Sequence, residues 1–272
     1  MLYVSDDAEL AYQVLGSGQD LILLHPTPVH RAFWLPVAES LSAGYRVILP
    51  DLRGHGQSHA GEGPITVERL GRDLVRLLDT LGIERALFAG CSLGGYALYE
   101  LWRRNPQRVQ ALAFCCSKPQ PDTAVNKAKR EEWIAEIRAR GIDGFFDAMA
   151  STLVGPTARQ LDPGKAAAAR AMMTAMPPET VVAVQQGLMA RPDSMPAVRT
   201  MTVPTCVIAG GEDASSTPTE MMLLAESIRN AGYNSEYHLL PNAGHYAPWE
   251  QPDEVASILR RFFDSVGGWR EI

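Results

Sequence analysis

No stretch of this 272-residue chain has the length and apolarity of a membrane span. No charged-then-apolar leader opens it either, so we expect a cytoplasmic protein with no membrane partner. Basic residues are not in excess. The 25 Lys and Arg against 31 Asp and Glu give a net charge of −6, which offers a phosphate backbone no electrostatic attraction and excludes nucleic acid as an expected partner. Only four cysteines occur, which fits a reducing compartment rather than a disulfide framework. They show no Cys/His spacing that would hold a metal. Neither an internal repeat nor a dinucleotide-binding glycine fingerprint is found, so neither metal nor cofactor is expected.

What the chain does contain is an ordinary globular balance, 46% apolar and 21% charged, with enough length for one large core. Strand-like runs fall near 2–4, 9–15, 20–25, 45–49, 85–91, 109–116, 203–209 and 235–240, and helical stretches near 31–42, 66–81, 93–104, 217–231 and 252–266. This alternation predicts an α/β fold, a mostly parallel sheet with helices on both faces, whose first strands form an antiparallel edge. Residues 119–200 break the pattern. They carry helical stretches such as 124–140 and 164–176 and many Ala and Met, which read as helix packing with an adaptable apolar wall as the sharper alternative. The expected organisation is a core of residues 1–118 and 201–272 with a helical cap insert at 119–200.

The densest chemical signal is ALFAGCSLGG, in which an apolar run ends at Gly-x-Ser-x-Gly centred on Ser92. A serine on a sharp strand-to-helix turn is held clear of the sheet, and Gly90 and Gly94 remove side chains that would clash there. Alone, the motif is also compatible with a helix N-cap serine. A serine hydroxyl needs a base, normally a histidine oriented by a carboxylate. Of the six histidines, His245 lies in a Pro-, Asn- and Gly-rich loop after the last strand, whereas His238 alternates with apolar neighbours inside that strand. Asp213 stands four residues beyond a buried run. Glu212 beside it is a competing carboxylate, and the Gly210-Gly211 turn favours Asp213. Cys91, next to the serine, reads as a small filler.

Together with LILLHPTPVHRAFW, ILPDLRGHGQS, CVIAGGEDASSTP and LPNAGHYAPWEQPDEV, these segments make the chain resemble the α/β-hydrolase superfamily, in particular its serine esterases, lactonases and cofactor-free haloperoxidases. The Ser…Asp…His order is the one that superfamily uses. The resemblance implies an eight-stranded sheet, a catalytic triad of Ser92 (nucleophile), His245 (general base and acid) and Asp213 (orienting acid), and an oxyanion hole of the Leu93 and Thr27 amides. It also implies a small-molecule ester or lactone substrate and a monomer or homodimer. Relatives usually have His-Gly where this chain has His25-Pro26, a departure that leaves Thr27 as the amide donor because Pro26 has no N–H. From the same loops, Thr27-Pro28 is expected to be cis, and His25, Asp51 and Arg53 to be structural. C–C bond or enol-lactone hydrolysis and perhydrolysis could use the same triad, and a small-molecule receptor on a hydrolase scaffold is the alternative of another class.

Overall fold

Apolar runs bounded by Gly, Pro and Asp become the strands of one sheet. The computed structural model describes residues 1–267. Its strands are Leu2–Ser5 (β1), Ala8–Leu15 (β2), Gln19–Leu24 (β3), Tyr45–Pro50 (β4), Ala86–Cys91 (β5), Val109–Cys115 (β6), Thr205–Gly210 (β7) and Ser235–Leu240 (β8). They lie in the order β1-β2-β4-β3-β5-β6-β7-β8. Strands β1 and β2, which precede any helix, pair antiparallel with each other, and β2 pairs antiparallel with β4. From there the sheet is parallel. Every residue of β5 and β7 is buried, which is why those strands are continuous apolar runs without alternation. Strand β7 starts two residues later than expected, at Thr205, since Pro204 has no N–H to donate to the ladder.

The first helices are Leu35–Leu41 (α1), Val67–Thr80 (α2) and Leu93–Arg104 (α3). The expected helix over 31–42 is divided, because a 3-10 turn at Arg31–Trp34 precedes α1. Between β6 and β7 lie Ala124–Arg140 (α4), Asp143–Leu153 (α5), Pro156–Leu161 (α6), Pro163–Met173 (α7), Pro178–Met189 (α8) and Met195–Val198 (α9). Pro218–Asn230 (α10), Ala247–Glu250 (α11) and Pro252–Gly267 (α12) follow β7 among the described residues. Helix α1 packs on α12 and α2 on α3, the layers that flank the sheet, while α10 covers β7 and β8. None of the described helices is long and apolar enough to cross a membrane.

Two buried ion clusters fix the geometry around this core. Arg53, fully buried in the turn after β4, grips Asp73 of α2 through Nε (2.9 Å) and Nη2 (2.6 Å) and reaches Asp7 at 2.6 Å. Its planar fork suits that bidentate pairing, and the pairing compensates its loss of water. Arg191, at the end of the helical segment, donates to Gln120 O at 2.7 Å and to Asp122 Oδ1 at 3.2 Å, and its guanidinium lies 3.9 Å from the centre of the Tyr96 ring. Ser194 N donates to Pro119 O at 3.0 Å. The chain leaving the sheet after β6 is thus tied to the chain returning to β7.

Candidate active site

Ser92 sits where β5 passes directly into α3. Its backbone, at φ 48° and ψ −111°, lies outside the regions a residue with a Cβ adopts freely. A turn this sharp requires close backbone approach. A Cβ at Gly90 would fall 2.6 Å from the Gly94 carbonyl carbon, and one at Gly94 would fall 2.3 Å from Leu24 O. The strained turn is held by its neighbours: Ser92 N donates to Cys115 O (3.1 Å), and Ser92 O accepts from Tyr96 N (3.0 Å) and the Ser117 hydroxyl (3.1 Å). Strain of this kind persists only where surrounding bonds over-determine it.

Beyond the C-terminal end of β7, Asp213 turns its carboxylate inward. Oδ1 accepts from Ser215 N (2.7 Å) and Ser216 N (3.1 Å), and Oδ2 lies 2.8 Å from His245 Nδ1. A carboxylate only accepts, so Nδ1 carries the proton and Nε2 keeps its lone pair. Both residues are buried. Glu212 is drawn away from this pair, taking Thr157 N at 3.1 Å and the Thr157 hydroxyl. The fold therefore brings Asp213 and His245 into direct contact. Neither the Ser92 hydroxyl nor His245 Nε2 has a protein hydrogen-bond partner among the described residues. Cys91, the serine's neighbour, donates its thiol to His245 O at 3.6 Å, and Cys116 donates to Gly244 O at 3.7 Å, so the histidine loop is seated on the ends of β5 and β6. All four thiols are buried.

Leu93 opens α3, where the first amides of a helix lack internal acceptors and favour negative charge. Thr27 is fixed on three sides. Its hydroxyl meets His55 Nε2 at 2.9 Å, its carbonyl accepts from the Tyr246 hydroxyl at 3.2 Å, and its bond to Pro28 is cis. Among the described residues, neither the Leu93 nor the Thr27 amide donates to a protein acceptor.

His25 and His55 are structural. The His25 Nδ1–H donates to Pro26 O (2.8 Å) and its Nε2 accepts from Leu52 N (2.9 Å), while the His55 Nδ1–H donates to Arg53 O (2.9 Å). Burial pushes each imidazole down to about 3, so both rings are neutral near pH 7. Asp51 accepts from Arg31 N and Gln57 N, both at 2.9 Å, and pairs with the Arg31 guanidinium.

Chain spacing predicted no metal ligands. Among the described residues, adjacent strands bring Cys206, Glu236 and His238 together, with their donor atoms within 4.8 Å of one another. These residues lie on β7 and β8, well short of Asp213 and His245. The sequence reading also passed over Glu250, a buried carboxylate beneath the histidine loop. Its partners are far away in the chain, so no local pattern marks it.

The family model described as "Alpha/beta hydrolase family" matches residues 21–258. The solved structure of a thermophilic esterase from Thermogutta terrifontis, with malate bound, is 31% identical, covers 98% of each chain and superposes with a TM-score of 0.92. That of the enol-lactonase from Burkholderia xenovorans LB400 is 26% identical, covering 97% of this chain and 100% of that one, with a TM-score of 0.89. The 3-oxoadipate enol-lactonase 1 of Acinetobacter baylyi is 28% identical over 235 residues, 86% of this chain and 84% of that protein. With the family model spanning all but the two ends, and with this sheet order, this chain belongs to the alpha/beta hydrolase family.

Proposed function

We propose that the protein is a serine hydrolase that cleaves a carboxylic ester or lactone of a small molecule through an acyl-enzyme on Ser92. The observation that carries this reading is the 2.8 Å bond from His245 Nδ1 to Asp213 Oδ2. It selects the tautomer in which Nε2 is a base, and that nitrogen has no competing partner among the described residues. The Ser92 hydroxyl and His245 Nε2 are not hydrogen-bonded in this structure, and in this reading that bond forms when substrate binds, as catalytic hydrogen bonds often do.

In this reading the Ser92 hydroxyl attacks the substrate carbonyl as His245 Nε2 takes its proton. Asp213 stabilises the resulting imidazolium without itself being protonated. The Leu93 and Thr27 amides, free of protein acceptors, receive the oxyanion, each contributing about 3 kcal/mol in the transition state. His245 protonates the leaving alcohol and then draws a proton from the water that releases the acid. The esterase and enol-lactonase among the relatives favour this acyl-transfer chemistry. Residues 119–200 form the cap in this scheme and select the acyl or ring group.

Hydrolysis of p-nitrophenyl esters from acetate to octanoate tests the proposal. The native protein turns over at least one of them, and Ser92→Ala lowers kcat by at least about 10³-fold. Activity that survives in Ser92→Ala would remove the serine from its role.

A further inference from the structure

Glu250 is a carboxylate placed to hold a histidine. It closes α11 and is only 4% exposed. Its Oε2 accepts from Gly244 N at 2.8 Å and Gly155 N at 3.0 Å, and its Oε1 accepts from Tyr246 N at 3.1 Å. Gly244 and Tyr246 are the two residues on either side of His245. Gly155 belongs to the turn between α5 and α6, and Tyr246 N also donates at 3.1 Å to Leu153 O, at the end of α5 just before that turn. The two segments meet backbone to backbone, since a Cβ on Gly244 would fall 2.5 Å from Gly155 N.

The chemistry of the side chain matches this surrounding. Three N–H donors converge on two oxygens that only accept. Burial pushes the Glu250 carboxyl above its ordinary range, the Gly244, Gly155 and Tyr246 amides act in the opposite sense, and the charge of Glu212 adds to the rise. An amide side chain of the same shape would turn an NH₂ group toward one of the three donors and lose at least one bond.

We propose that Glu250 is a positioning residue for His245, holding both peptide groups that flank the imidazole and locking them to the α5–α6 turn. The proposal rests on the reading of His245 as the general base. Glu212 supplies an internal comparison. Its side chain holds the start of α6, next to the same turn, through Thr157 but bonds to neither flanking amide. If holding the turn is all that matters, the two glutamates are equivalent. If holding the histidine matters, they are not.

The test compares Glu250→Gln and Glu212→Gln in the full chain by ester kinetics and by the NMR signal of the His245 Nδ1 proton, assigned by its loss in Asp213→Ala. Misplacement of a reacting group by about 1 Å costs up to about 10²-fold in rate. Glu250→Gln is therefore expected to lower kcat by about 10- to 100-fold with KM within about twofold, and to shift or broaden the proton signal. Glu212→Gln is expected to leave both near those of the native protein. If Glu250→Gln does not fold, Glu250→Asp keeps the charge while withdrawing the oxygens by one methylene, and a smaller change in the same direction is expected. Native kcat and an unmoved proton in the folded Glu250 variant would overturn the proposal, as would an equal kcat loss in Glu212→Gln. A native protein inactive on every ester, whose proton still shifts in Glu250→Gln, would support the positioning role and count against the ester reading alone.

Discussion

His25 and His55 stand with ring centres 5.0 Å apart, both fully buried. Each is held neutral by burial and by hydrogen bonds that use a bare ring nitrogen, with its folded pKa lowered from 6.5 to about 3. An unfolded chain binds protons at both rings as pH falls below 6.5, and the native chain does not until about 3. The stability they contribute is thus fully present above pH 6.5 and is lost as pH falls through that window, at up to about 1.4 kcal/mol per pH unit for each ring. Urea midpoints at pH 7, 6 and 5 are expected to fall steadily, and His55→Gln to lose about half of that slope. A flat native profile would contradict the assignment. At this scale much of the candidate site is legible in the sequence. Ser92, Asp213 and His245 each follow a strand, and their residue types are tied to one chemistry. Glu250 was not readable, because its role depends on Gly155, 95 residues away, being brought against its carboxylate.

The sequence pattern does not separate out helices α5, α6, α8 and α9, whereas it gives α4 at its observed bounds. Four of the helices in this region have a proline in the first turn, at Pro156, Pro163, Pro178 and Pro196, where its missing N–H is harmless. Read along the chain, those prolines resemble breaks between short pieces. Packing supplies the continuity, as at Gly187, where a Cβ would lie 1.8 Å from Ile65 O. The two necks of this helical segment depend on Asp122, which accepts from Arg130 Nε at 2.5 Å and Arg191 Nη2 at 3.2 Å. Asp122→Ala would strand the buried Arg191 guanidinium, and removing one partner of a buried pair costs about 3–5 kcal/mol. Chemical denaturation should show a loss of that size, with Asp122→Asn intermediate. A change below about 1 kcal/mol would mean that the carbonyls of Lys118 and Gln120 suffice to hold Arg191.

Across the whole molecule, alternation and resemblance imply an eight-stranded, mostly parallel sheet with an antiparallel first edge, since short apolar runs separated by helices leave few unknotted arrangements, while the order of the strands is seen only in the structure. Register and the seating of the histidine loop come from contacts between distant segments, and no window of sequence carries them. That seating has a practical consequence. The four cysteines are all buried, and burial raises the pKa of every one, so the native protein should be silent to a thiol reagent, and complete denaturation should release four equivalents per chain. Prompt reaction of any thiol in the folded state would show that the packing over β5, β6 and β7 opens readily. A silent background makes the chain a clean host for a single reporter. A cysteine introduced at Val125 or Leu161, exposed by 77% and 80% on the helical segment, would be its one reactive thiol, and a fluorophore there would report whether the segment's surroundings change when an ester is added.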